Sequence, residues 1–269
     1  MPGPRSSLPP LDDAVKFAKG VASVLSQMTG DPYGEPALSE LRAGEEMFEE
    51  GLGNPMAFAH TVIDLYAQAT GDFLYGTGEV SRGSYNLALS SATVARSACE
   101  YAGIGWWLAE PGISVDSRIA RTARLVINTY NEGKSILDPS ERDQYDADNS
   151  DAVSWAQRKL SAKEKVPGPT ERFKMMNPAH GQKHYSRLSM LAHGDLRLMG
   201  QFVSLKVAGQ NEQLEESWWR ILLACSHGLS LAQRLSELRD RPSQYLPGLH
   251  ELHSHYDDLL TGKHRGGKS

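Results

Sequence analysis

Apolar positions recur along this chain at intervals of three and four, the period of an α-helix. From Leu11 to Met28, one face carries Val15, Ala18, Val21, Leu25 and Met28. Proline and glycine break the pattern between Gly30 and Pro36. A charged segment, Leu38 to Glu50, reads as a helix that stops at Gly51. Asn54-Pro55 then supplies an N-cap followed by proline at the first helical position. The helix it starts is predicted to run to about Phe73, with Phe58, Val62, Leu65 and Ala69 inward. The longest helix is predicted over about 80–110, where Pro111-Gly112 ends it. Another helix is expected from Val115 to Glu132.

The chain then turns polar and acidic from Lys134 to Ser150, and this stretch reads as a solvated loop. A short amphipathic piece, Asp151 to Lys165, ends before Pro167, Gly168 and Pro169. Further helices are expected over Gly181 to Gly194, 212–239 and Gly248 to Leu260. Phe202 to Val207 alternates and is the only strand-like run. The pattern predicts one all-α domain over residues 11–260, a helical bundle with long central helices at about 80–110 and 212–239. Residues 1–10, rich in proline, read as a flexible lead, and 261–269 as a disordered basic tail. There is no βαβ alternation and no glycine-rich phosphate loop, which argues against Rossmann and P-loop enzymes.

Charge narrows the classes further. The 269 residues carry a formal net charge of −5. A general nucleic-acid binder usually needs a basic domain, so only a local basic patch could serve here. Arg118, Arg121 and Arg124, three apart, are expected to form one basic edge. Cys99 and Cys225 sit far apart in apolar context and read as buried free thiols, which fits a reducing, cytoplasmic setting. No run of eighteen apolar residues predicts a membrane span, and the N-terminus has no apolar core of a signal peptide. No membrane partner is expected.

Several polar groups are candidates for chemistry. Arg96 and Glu100 lie four apart among apolar neighbours, as a structural pair or as an anion-positioning one. Tyr185, Ser189 and His193 follow at spacings of four and four, so they stack on one side of a short helix. His180 and His184 have a two-imidazole metal spacing, but the glutamate of H-E-x-x-H is absent. The acidic run Asp138, Glu141, Asp143, Asp146, Asp148, Asp151 lacks the glycine and terminal glutamate of a calcium loop. No metal or cofactor is therefore expected. In the pairs Trp106-Trp107 and Trp218-Trp219, one ring can reach the core and the other is left to line a pocket or a dimer face.

The segments Arg96-Ser-Ala-Cys-Glu100-Tyr-Ala-Gly-Ile-Gly-Trp-Trp-Leu-Ala-Glu-Pro111 and Tyr185-Ser-Arg-Leu-Ser-Met-Leu-Ala-His193-Gly194 resemble a group of actinobacterial helical proteins. These are related to the HEPN superfamily, helical domains that include toxin and defence ribonucleases. The resemblance implies HEPN-like helix packing, a homodimer and metal-independent RNA cleavage. The family carries an Arg, four to six residues and a His; here Arg187 and His193 have five residues between them. Arg220 and His227 also match the spacing. His193 would be the acid/base, Arg187 or Arg96 would hold phosphate, and Tyr185, Ser189 and Glu100 would orient the site.

Two other readings stand beside this one. A small molecule could bind or react in a core pocket lined by the tryptophan pairs (Trp107 among them), Tyr101 and the Arg96/Glu100 pair. Alternatively the chain is a non-catalytic helical interaction module. Exposure in a groove at a dimer interface, enclosure around a cavity, or satisfied packing separates the three.

Overall fold

The computed structural model describes residues 8–30, 33–48, 53–83, 88–161, 163–192 and 210–261. The described residues form ten helices and no strand. They are α1 (Leu11–Gln27), α2 (Glu35–Glu45), α3 (Pro55–Arg82), α4 (Ala88–Leu108) and α5 (Val115–Ile136). After these come α6 (Pro139–Lys159), α7 (Pro169–Met176), α8 (Gly181–Ala192), α9 (Gln210–Arg239) and α10 (Leu246–Thr261). The expected strand-like run at Phe202 to Val207, the residue His193, and nearly all of the expected lead and tail lie outside the described residues.

The core is a bundle of α1, α3, α4 and α9, with α10 laid on α9 and α1, and the α7–α8 pair laid on α4. Burial follows the helical period. Ala14, Val15, Phe17, Ala18, Val21, Val24 and Leu25 are the buried face of α1. Leu222, Cys225, Leu229 and Leu235 belong to that of α9. Both cysteines are buried and free. Burial pushes both thiols up, which makes them inert packing groups.

Five expectations need correction. The helix predicted over about 80–110 begins later, because Val80 to Arg82 belong to α3 and α4 starts at Ala88. Asn54 starts α3 as expected, its Oδ1 accepting from the backbone N–H of Met56 (2.8 Å) and Ala57 (3.1 Å). The helix then continues past Phe73 because its glycines serve close packing. A Cβ at Gly78 would sit 3.3 Å from Val15 Cγ1, so glycine there lets α1 lie near α3. Helix α2 starts earlier than expected, since Pro36 sits in its first turn.

The acidic stretch is not a loop. It is most of α6, opened by Pro139 and by the Glu141 carboxylate accepting from the Asp138 N–H at 3.2 Å. Only one edge of this helix is covered, so no apolar period marks it. Trp155 anchors it, buried in a small second core with Met56, Ala59, Ile119 and Ala123, with Phe58 edge-on at 5.5 Å.

Nor do Arg118, Arg121 and Arg124 make an exposed basic edge. Arg118 is fully buried, grips Glu40 through Nε (2.9 Å) and Nη2 (2.8 Å), and donates to the carbonyls of Leu108 and Glu110. Arg121 donates to the Trp107 carbonyl at 2.6 Å and pairs with Glu110 and Glu164. Arg124 holds the carbonyls of Ser161 and Glu164. Arg118 and Arg121 thus neutralise the C-terminal end of α4, where its dipole favours cations.

Helices α7 and α8 meet at Gly181, whose N–H donates to the Asn177 carbonyl at 2.7 Å. A Cβ at Gly181 would strike the Phe173 carbonyl and come within 2.7 Å of Lys174 N, both backbone groups that cannot swing away. Gly181→Ala is expected to cost about 1–3 kcal/mol by overpacking. Urea unfolding checks this; a loss under roughly 0.5 kcal/mol would mean that α8 can slide without penalty.

Candidate functional site

The structure splits the expected polar constellation in two. Arg96 and Glu100, four apart on α4, form an ion pair of 2.6 Å, half-buried. The Arg96 guanidinium lies 5.4 Å from the Tyr185 ring and donates from Nη2 to Tyr185 Oη at 3.5 Å. Arg172 closes the cluster by donating to the Glu100 carbonyl at 3.4 Å. Arg96, Glu100 and Tyr185 therefore lie together.

Arg187 does not join them. It stands two positions after Tyr185, about 200° around an ideal helix. Its Nη2 meets the Glu216 carboxylate and its guanidinium lies 4.0 Å from the centre of the Trp219 ring. Ser189 is half-buried on α8. Tyr101 packs elsewhere, against Tyr66 (5.6 Å) and Phe73 (5.1 Å). Trp107 is buried, with Arg121 5.1 Å from its ring. The second Arg/His match is internal, since Arg220 and His227 are both buried on α9.

A cavity of about 370 Å³ opens where α8, α9 and α10 converge. The Arg187 side of α8 faces this region, and the cluster of Arg96 does not line it. Its apolar wall includes Leu222, Leu223 and Leu260. Trp219 supplies an aromatic wall; it is the outward member of its pair, while Trp218 is buried. Three imidazoles, His180, His184 and His253, and one carboxylate, Asp257, complete the polar lining with Asn177, Ser226 and Thr261.

Each imidazole has a physical setting. His253 Nε2 lies 3.2 Å from the Leu222 carbonyl. His184 meets the Trp219 ring nearly edge to face at 5.9 Å, and its Nδ1 is buried with no hydrogen-bond partner. Burial, then the charges of His180, Lys183 and Arg187, lower the pKa of His184 against the pull of Asp257. Burial likewise lowers that of His253. One residue beyond Ser226, His227 is fully enclosed, packs on Phe173 at 4.9 Å and is pushed down to about 4 by burial. These are neutral rings at neutral pH, able to accept a proton.

The rings of His180 and His184 are 5.9 Å apart. Among the described residues no group of three or more His, Cys, Asp or Glu is placed to hold a metal ion. A larger groove, about 570 Å³, runs between α1 and the start of α10, past Val24, Tyr245, Leu249 and Leu252. No imidazole or charged side chain among the described residues lines it, so it offers shape without acid–base chemistry.

No protein-family model, curated protein or solved structure matches this chain. The functional argument therefore rests on the residues of the site.

Sequence reasoning placed His180 and His184 together but weighed them only as a metal pair. It missed His253 and Asp257. A signal was present: His250, His253 and His255 fall within six positions on the last helix. What the sequence could not show is that α10 folds back to set His253 opposite α8.

Proposed function

We propose that this protein binds a small organic molecule in the cavity between α8, α9 and α10, with neutral histidines as its proton acceptors. The observation that carries this reading is the cavity itself. Its volume falls in the range of ligand sites, and its walls combine leucines and tryptophan with a few convergent polar groups. The imidazoles of His184 and His253, kept neutral by burial, support acid–base chemistry on what binds.

The ribonuclease reading that the HEPN resemblance implies has less support. Its acid/base, His193, lies outside the described residues. Its phosphate holders already have counter-ions, Glu100 for Arg96 and Glu216 for Arg187.

The test uses 2-naphthol as a probe, read by the quenching of tryptophan emission at neutral pH. Saturable binding is expected in the parent. Ser226→Phe places a ring in the cavity from α9 and is expected to weaken binding about tenfold or more. Absence of saturable binding by 2-naphthol, its methyl ether and 2-naphthoate alike, or equal binding by the variant, overturns the reading.

A further inference from the structure

We propose that the cavity selects ligands that are neutral, planar and donate a hydrogen bond, a phenol or a heteroaromatic N–H, and that His253 is the acceptor. This rests on the ligand-binding reading above.

The argument starts from donors and acceptors. A carbonyl oxygen can only accept, so the His253 nitrogen 3.2 Å from the Leu222 carbonyl carries the ring hydrogen. In the neutral ring the other nitrogen, Nδ1, is then an acceptor. Burial keeps the ring neutral. Asp257 adds two carboxylate oxygens, which only accept. His184 Nδ1 is buried with no partner in the protein, a position that costs free energy until a partner arrives. Asn177 already spends its Oδ1 on the His180 N–H at 3.0 Å. His253 Nδ1 and the Asp257 carboxylate are thus acceptors in the lining, beside the amide hydrogens of Asn177 and the hydroxyls of Ser226 and Thr261.

Charge then decides which donor. An anionic ligand would meet Asp257, and no lysine or arginine among the described residues lines the cavity. The nearest, Arg187, is held by Glu216. Asp257 would attract a cation, but the aromatic face that could hold one, Trp219, is already covered by the Arg187 guanidinium at 4.0 Å. The leucine and tryptophan walls favour an apolar, flat body. Together these walls favour a neutral aromatic donor.

The experiment compares three probes on the whole protein: 2-naphthol, its methyl ether 2-methoxynaphthalene, and the anion 2-naphthoate. The ether keeps the shape and loses the donor. It is expected to bind about fivefold or more weakly than 2-naphthol, and the naphthoate more weakly still. His253→Phe keeps a ring in place without the acceptor. It is expected to bring 2-naphthol down to the level of the ether while leaving the ether unchanged. Equal binding of 2-naphthol and its ether overturns donor selection but leaves the ligand-binding reading standing. Tighter binding of 2-naphthoate than of 2-naphthol likewise overturns donor selection and leaves the ligand-binding reading standing. If none of the three binds, the ligand-binding reading itself fails. If His253→Phe weakens both neutral probes alike, the acceptor is not His253.

Discussion

Arg118→Met is expected to destabilise this protein by about 3–5 kcal/mol, the usual cost of leaving one partner of a buried pair alone. Arg118 is fully buried and grips the Glu40 carboxylate with two nitrogens. Glu40 also meets Nε2 of the buried His60 at 3.1 Å. Burial opposes the charge on Glu40, yet the hydrogen bonds from His60 and Arg118 outweigh it and hold the carboxyl below its ordinary range. The same guanidinium serves the carbonyls of Leu108 and Glu110, where α4 ends. One substitution therefore strands a carboxylate and two carbonyls at the junction of α2, α4 and α5.

Denaturant unfolding followed by far-ultraviolet circular dichroism measures the loss. The double variant Arg118→Met, Glu40→Leu removes both charges and is expected to recover a large part of it. A single-variant loss under about 1 kcal/mol would mean that water reaches Glu40 and that the pair is not the clasp described.

The second large effect is a loss of stability in mild acid that is due to His227. Its folded-state value is about 4, against 6.5 for an ordinary imidazole. The unfolded chain therefore binds the extra proton first, and stability falls as pH drops below the ordinary value. The loss accumulates at about 1.4 kcal/mol per pH unit until the folded value is reached, roughly 3 kcal/mol in all. Burial causes this: the ring is enclosed against Phe173, its Nδ1 donates to the Leu223 carbonyl at 2.9 Å, and its Nε2 has no hydrogen-bond partner.

His184 and His253 are lowered too and add to the slope with the same sign. Glu40 joins only below the ordinary carboxylate value of 4.5. A comparison between pH about 7.5 and about 5 therefore isolates the histidines. Over that interval His227→Leu is expected to lose roughly 2 kcal/mol less than the parent. Identical losses in the two proteins would show that His227 is not the acid-sensitive group.

The split between legible and hidden features follows from the range of the forces involved. Helix α1, the start of α3 at Asn54-Pro55, and helices α8, α9 and α10 were readable, because period and capping are local properties. The free buried cysteines were readable from their apolar neighbours. The boundary between α3 and α4 was misplaced because apolar spacing alone does not mark where one helix passes into the next; in the fold, Gly71 and Gly78 admit α1 along a continuous α3. The part of helix α6 before Asp151 was taken for a loop because its single covered edge leaves no apolar period, and the helix's anchor Trp155 finds Met56 and Ile119 far away in the chain.

The site divides in the same way. Spacing alone joined Arg96 to Glu100, and Tyr185 to that pair came from the packing of α8 on α4. Spacing also set His180 beside His184. It could not turn Arg187 toward Glu216 and Trp219, since that depends on which face of α8 meets α9. The sequence by itself determined an all-α chain and where most of its helices lie, because each helix closes its own hydrogen bonds. Only the tertiary structure decided that the arginines of α5 turn inward to carbonyls and carboxylates, and that the distant His253 shares one cavity with His180 and His184. Those pairings join residues from separate helices, and the packing that selects them is a property of the whole core.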